Sequence, residues 1–139
     1  MFNENLRDFS LHRLKRAKDD LDSAKIEYEA KKYNAVANRA YYSIFHTIRS
    51  ILVLDEVEFK KHSAIISYFT KTYLLTNIIN RKYSITIKAA FEARNAGDYD
   101  DYCEISSNEA FDLIEKATEF HLEIVKYISK RLEITDDIN

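Results

Sequence analysis

Two groups of residues have types and spacings that could do chemistry. The first is Arg39, Tyr42, His46 and Arg49, set at steps of three, four and three residues. On a helix these side chains stack along one side. Two guanidinium groups and an imidazole in line can hold a phosphate or a carboxylate, because the planar arginine fork binds either in bidentate fashion. The second group is Arg94, Asn95, Asp98, Tyr99 and Asp101, around Gly97, the only glycine of a chain without proline. Tyr83, Ile87, Ala90, Phe91 and Arg94 fall on one face at helical spacing, so Arg94 is expected on the last turn of a helix. Gly97 is expected just past that helix, where a left-handed conformation costs glycine little. A guanidinium at the end of an apolar stripe either forms an ion pair, with Asp98 or Asp101 as candidate partners, or lines a cleft. If the two groups meet, Arg39 or His46 contacts Asp98 or Asp101. Arg39, Tyr42, His46, Arg49, Arg94, Asp98 and Asp101 then share one polar cleft.

Other reactive residue types point to less. Asp98, Asp100, Asp101 and Glu104 lack the twelve-residue spacing of a calcium loop with its central glycine, so no metal is expected. Cys103 stands alone, which excludes an intramolecular disulfide and a cysteine-type zinc site. The acids beside it disfavour its thiolate. His12, His62 and His121 have no ligand partners at helical spacing and read as surface or packing residues. Most tyrosines read as core residues with a hydroxyl at the rim. No cofactor is expected.

The elements that must position these residues are helical. One glycine, no proline and 32% charged residues exclude a turn-rich β-sandwich or barrel, which needs many turn residues. The periodicity predicts helices over residues 5–31, 34–54, 62–74, 81–96 and 106–132. Leu14, Ala17, Leu21, Ala24 and Tyr28 make the first stripe. Ala37, Ala40, Tyr41, Ile44, Ile48, Ile51 and Leu52 make the second. Ile65, Tyr68, Phe69 and Thr72 share a face of the third. Ser106 with Glu109 fits a capping box ahead of the last stripe, which runs from Ala110 to Ile128. The expected fold is an all-α, antiparallel up-and-down bundle of four long helices and one shorter helix. At 139 residues the chain is one domain by size, with a core over about 5–133 and a frayed tail over 134–139. No run of about 18 apolar residues occurs and the first ten residues show no signal-peptide pattern. The expected location is the cytoplasm, with no membrane association.

Charge is unevenly distributed. Residues 1–90 carry 16 Lys/Arg against 10 Asp/Glu, a balance of +6, and residues 91–139 carry 5 against 13, a balance of −8. Such a dipolar chain is either ordinarily solvated or presents a basic half to a nucleotide or nucleic acid and an acidic half to a basic partner.

The segment Asn38-Arg39-Ala40-Tyr41-Tyr42-Ser43-Ile44-Phe45-His46 resembles a second-helix signature of HEPN-domain proteins of the small stand-alone prokaryotic type. Residues 90–102, from Ala90-Phe91-Glu92-Ala93-Arg94-Asn95-Ala96-Gly97 to Tyr102, resemble the family's second signature, and Phe59-Lys60-Lys61-His62-Ser63 also fits. The resemblance covers roughly residues 8–130. It implies a helical bundle that forms a homodimer and pairs with a small nucleotidyltransferase in a toxin–antitoxin-like system. Many members are ribonucleases with an arginine, a polar residue and a histidine several positions on. Arg94-Asn95 matches the start of that motif, but positions 98–102 are Asp, Tyr, Asp, Asp and Tyr. The looser pattern at Arg7–His12 and Arg39–His46 falls on other helices. Histidine serves proton transfer near neutral pH, whereas tyrosine is a poor base there. The resemblance also implies that Tyr99 or Tyr102 could accept a nucleotidyl group from the partner. Three readings follow. One is an interaction module that contacts nucleotide or RNA phosphate through Arg39, His46 and Arg94. Another is a metal-independent ribonuclease using Arg94, Asn95 and Tyr99. The last is a purely structural dimeric scaffold. The missing histidine favours the first.

Overall fold

The computed structural model describes the backbone of residues 4–99 and 104–133. Among these the chain forms α1 (Glu4–Glu29), α2 (Tyr33–Leu54), α3 (His62–Phe69), α4 (Tyr83–Tyr99) and α5 (Ser107–Arg131). A π-helical turn, Thr70–Leu74, extends α3. The fold is an all-α bundle, as its periodicity requires. Residues 134–139 of the expected tail lie outside the described residues.

Helix α2 is the centre. Its predicted face is buried, and so are Val36, Ser43, Phe45, His46, Thr47, Ser50 and Leu54. Burial on so much of its circumference means that α2 packs against α1, α3, α4 and α5. The antiparallel α1–α2 pair packs closely through small residues. Ala17, Ala24, Ala37 and Ala40 are fully buried. Ser10 donates to the Ser50 carbonyl at 2.8 Å and Ser43 to the Ala17 carbonyl at 2.9 Å. These bonds satisfy hydroxyls that burial would otherwise leave costly. Phe120 of α5 meets Phe69 edge-on at 5.8 Å and Tyr83 at 5.3 Å, tying α3 and α4 to α5. The capping serine is in place, with Glu109 N donating to Ser106 Oγ at 3.1 Å. The α5 stripe is buried from Ala110 to Ile128, through Leu113, Ile114, Ala117, Phe120, His121 and Ile124.

The expected role of Gly97 is corrected. Helix α4 overruns its expected end at Ala96 and continues to Tyr99, and among the described residues no glycine has positive φ. A single glycine inside a helix costs about 1 kcal/mol, too little to stop α4 by itself. Phe91, placed by periodicity on the inner face, is 41% exposed.

The left-handed positions fall instead on Lys31, Glu56, Asn77 and Glu133, with φ of 57–60°. Lys31 and Glu56 close α1 and α2 in Schellman geometry. Lys32 N donates to Glu27 O and Lys31 N to Tyr28 O, both at 2.9 Å. Val57 N to Leu52 O and Glu56 N to Val53 O repeat the pattern. Non-glycine residues carry a conformational cost here. Lys31 is exposed and makes no side-chain bond among the described residues. Lys31→Gly is therefore expected to raise stability by about 0.5–1 kcal/mol, read as a higher denaturant midpoint at unchanged slope. A lower midpoint would contradict the left-handed assignment.

Candidate functional site

The two signature segments meet where α4 crosses α2. The Arg94 guanidinium lies 4.9 Å from the Tyr41 ring centre and 5.3 Å from that of Tyr42. Its Nη2 donates to the Tyr42 hydroxyl at 3.4 Å. Ring faces attract the cation electrostatically and hold its plane in place. Tyr41 is almost fully buried. Burial pushes its hydroxyl pKa up, against the opposing pull of Arg94.

Helix α3 contributes a residue that sequence spacing did not single out. His62, its first residue, sits with Nδ1 3.0 Å from the Tyr41 hydroxyl and its ring stacked on Phe45 at 3.9 Å. Burial lowers its pKa first, and the charges of Arg94 and Arg49 lower it further. His62 is thus held neutral at pH 7, as an imidazole able to take up a proton. With Nδ1 engaged by Tyr41, Nε2 is the nitrogen left to meet a ligand. The chemical trio is therefore a fixed cation, a neutral imidazole and a buried phenol between them. The only hint in the sequence was the Phe59–Ser63 segment. No periodicity links positions 41, 62 and 94.

The predicted stripe on α2 divides. Arg39 turns to α1, with Nη1 3.4 Å from Asp20 Oδ1 and Nε 3.3 Å from Glu27 Oε1. His46 is buried, its Nε2 3.9 Å from Asp20 Oδ2. Burial and the surrounding charges of Arg16, Arg13, Arg49 and His12 depress its pKa to about 4. Burial raises the Asp20 pKa against the pull of Arg39. Tyr42 joins the Arg94 cluster. Arg49 lies 5.8 Å from the Phe45 ring centre. Arg39 and His46 thus have α1 acids as their described neighbours. The side chains of Asp98 and Tyr99, and the whole of Asp101, Tyr102 and Cys103, lie outside the described residues. So do the contacts expected of them. Asn95 is half-buried beside Arg94.

His121, read as a packing residue, is buried, with Nδ1 3.1 Å from Thr47 Oγ1. Among the described residues no three His, Cys, Asp or Glu side chains are grouped to hold a metal ion. No described helix is long and apolar enough to cross a membrane.

The HEPN domain family matches residues 11–128. A UPF0332 protein of Thermotoga maritima is 30% identical over 114 residues, 82% of this chain and 86% of the relative. A protein of Methanocaldococcus jannaschii named as a putative toxin is 31% identical over 120 residues, 86% of this chain and 82% of the relative. A second such protein from that organism is 29% identical over 99 residues, 71% of this chain and 74% of the relative.

Proposed function

Since the chain belongs to the HEPN domain family, we propose that it is a toxin-like, RNA-associated interaction module that binds phosphate through Arg94. The observation that carries this reading is the Arg94 guanidinium lying over the Tyr41 and Tyr42 rings. An arginine with a restrained plane is suited to a phosphate, because little freedom is lost on binding. The names of two relatives support the toxin-like part. In this reading the protein acts as a homodimer with a nucleotidyltransferase partner, in the cytoplasm.

The test is binding of a labelled single-stranded RNA to the full chain, followed by fluorescence anisotropy. Arg94→Ala is expected to weaken binding between tenfold and a hundredfold, the range set by one charge-assisted hydrogen-bonded pair at about 1.5–3 kcal/mol. Arg94→Lys is expected to recover part of the loss, since it keeps the charge but not the fork. Equal affinity of wild type and Arg94→Ala, with both folded by circular dichroism, would exclude Arg94 as the phosphate ligand.

His62 favours a second reading, a metal-independent ribonuclease. In it the RNA 2′-oxygen attacks phosphorus while His62 removes its proton. The phosphorus–5′-oxygen bond breaks, and His62 returns the proton to the departing oxygen. Arg94 balances the charge that builds on the phosphate. Cleavage leaving a 2′,3′-cyclic phosphate, abolished by His62→Gln, is the expected signature. RNA that binds and stays intact leaves the interaction module alone.

A further inference from the structure

A cavity of about 450 Å³ opens between the N-terminal half of α1, the last turns of α2 and the connection that leads to α3. It has the size of sites that hold small organic ligands. Arg13 and His12 line it from α1 and Arg49 from α2. Phe9 and Phe59 line it too, and they are 62% and 39% exposed. Its apolar wall includes Leu52 and Ile65, which belong to the core.

Arg39 and Arg131 have carboxylate partners. Arg13 and Arg49 have none among the described residues, although Glu56 and Glu58 line the same cavity. Burial and the charges of Arg49 and Arg16 push the Arg13 pKa down. The free protein thus holds like charges close together, an arrangement that a bound anion would relieve. Paired guanidinium forks suit a phosphate. Solvent-facing phenylalanine rings suit a nucleobase, which any aromatic face can stack against. The carboxylates sit on the connection, where they can accept from sugar hydroxyls or base N–H groups. They also repel a second phosphate, which disfavours a polyphosphate chain.

We propose that this cavity is a nucleotide subsite. Arg13 and Arg49 hold one phosphate of an RNA strand, and Phe9 and Phe59 receive its base. A chain of ring contacts links the cavity to the Arg94 cluster. Arg49 lies on the Phe45 ring, Phe45 on His62, and His62 on the Tyr41 hydroxyl beneath Arg94. A strand bound at Arg94 can therefore extend into the cavity along Arg49. The identity of the polymer rests on the reading of Arg94 as an RNA-phosphate ligand; the phosphate and base chemistry of the cavity does not.

The experiment is a titration of the full chain with AMP, with adenosine and with inorganic phosphate, read from the ring resonances of Phe9 and Phe59 by NMR. AMP is expected to shift these resonances saturably, more tightly than adenosine or phosphate alone. Arg13→Gln is expected to weaken AMP at least tenfold. Phe59→Ala is expected to bring AMP affinity down to that of phosphate. No saturable shift with AMP would overturn the proposal. So would AMP affinity unchanged by both substitutions. Phosphate binding as tightly as AMP would show an anion site without base recognition and would overturn the nucleotide assignment. The ring resonances report the cavity itself. If only the Arg94 reading fails, they still respond to AMP. If only the cavity fails, the Arg94→Ala loss of RNA binding stands.

Discussion

Replacing Asp55 with alanine is expected to cost the fold about 3 kcal/mol or more. Asp55 is the residue that closes α2, and its carboxylate gathers three elements. Oδ1 pairs with Arg131 of α5 at 2.7 Å. Oδ2 accepts from Tyr73 of the π turn at 2.6 Å and from Tyr68 of α3 at 3.0 Å. Arg131 also donates to the Tyr73 hydroxyl at 3.0 Å. Both charged groups are mostly shielded from water, with 13% and 25% of their side-chain surface exposed. Without the carboxylate, a partly buried guanidinium and a buried phenol lose their acceptor, and an uncompensated group is what makes such a deletion costly. The Tyr73 pKa is driven up, first by burial and then by the hydrogen bond to Asp55, as a phenol that donates to a carboxylate requires. Tyr73 reaches this carboxylate from within the π turn. Chemical denaturation of Asp55→Ala, Arg131→Ala and the double variant measures the network. The double variant is expected to lose much less than the two single losses combined, because each single deletion already breaks the pair. Additive losses would show that the groups do not act together. The same network anchors the connection from α2 to α3, so Asp55→Ala is also expected to loosen His62 and Phe59, which that connection positions.

Stability is also expected to fall as the solution is acidified from about pH 6.5 to about pH 4, because His46 is buried neutral. The unfolded chain takes up a proton near the ordinary histidine value, while the folded chain resists until about pH 4. Between those values the unfolded state binds more protons, so folding weakens as pH drops. Below pH 4 both states are protonated and the loss stops growing. The full shift corresponds to at most about 3 kcal/mol. The groups facing His46 act with and against it. Arg13, Arg16 and His12 of α1 and Arg49 of α2 add to the cost of charging it. Asp20, whose pKa burial raises, favours the folded state at the acid end and offsets part of the loss. His62 is shifted in the same direction as His46 and adds to it. His46→Leu is expected to remove most of this dependence at little cost at pH 7. The Nδ1 of His46 has no hydrogen bond to lose among the described residues. Urea unfolding of both proteins at pH 7 and pH 4.5 reads the difference. Parallel losses in wild type and His46→Leu would mean that another group carries the acid sensitivity.

Most of the fold was legible in the chain. The stripes of α1, α2 and α5 are buried as their spacing requires, the half-buried Tyr28 apart, because a helix in water must hide its apolar face and the repeat reveals that face. The Ser106 cap was legible for the same local reason, since one hydroxyl meets an N–H three residues on. Turn chemistry was less readable. The single glycine drew attention to position 97, yet the left-handed residues are Lys31, Glu56, Asn77 and Glu133. The backbone adopts that conformation at these non-glycine residues, and composition does not record it. Arg94 and Tyr42 were legible as site candidates by their types and spacing. Arg39 belonged to the same stripe but serves the α1 acids, because a long exposed side chain takes the nearest carboxylate.

The sequence by itself determined the helical class and the faces that form the core. These follow from repeats within single helices, and local spacing expresses them fully. Only the tertiary structure decided that His62 joins Tyr41 and Arg94, that Asp55 ties α2 to α3 and α5, and that Arg13 and Arg49 share a cavity. Each of these unites residues from separate elements. Their meeting depends on how the helices cross, which is set by the whole core rather than by the spacing of the residues that meet.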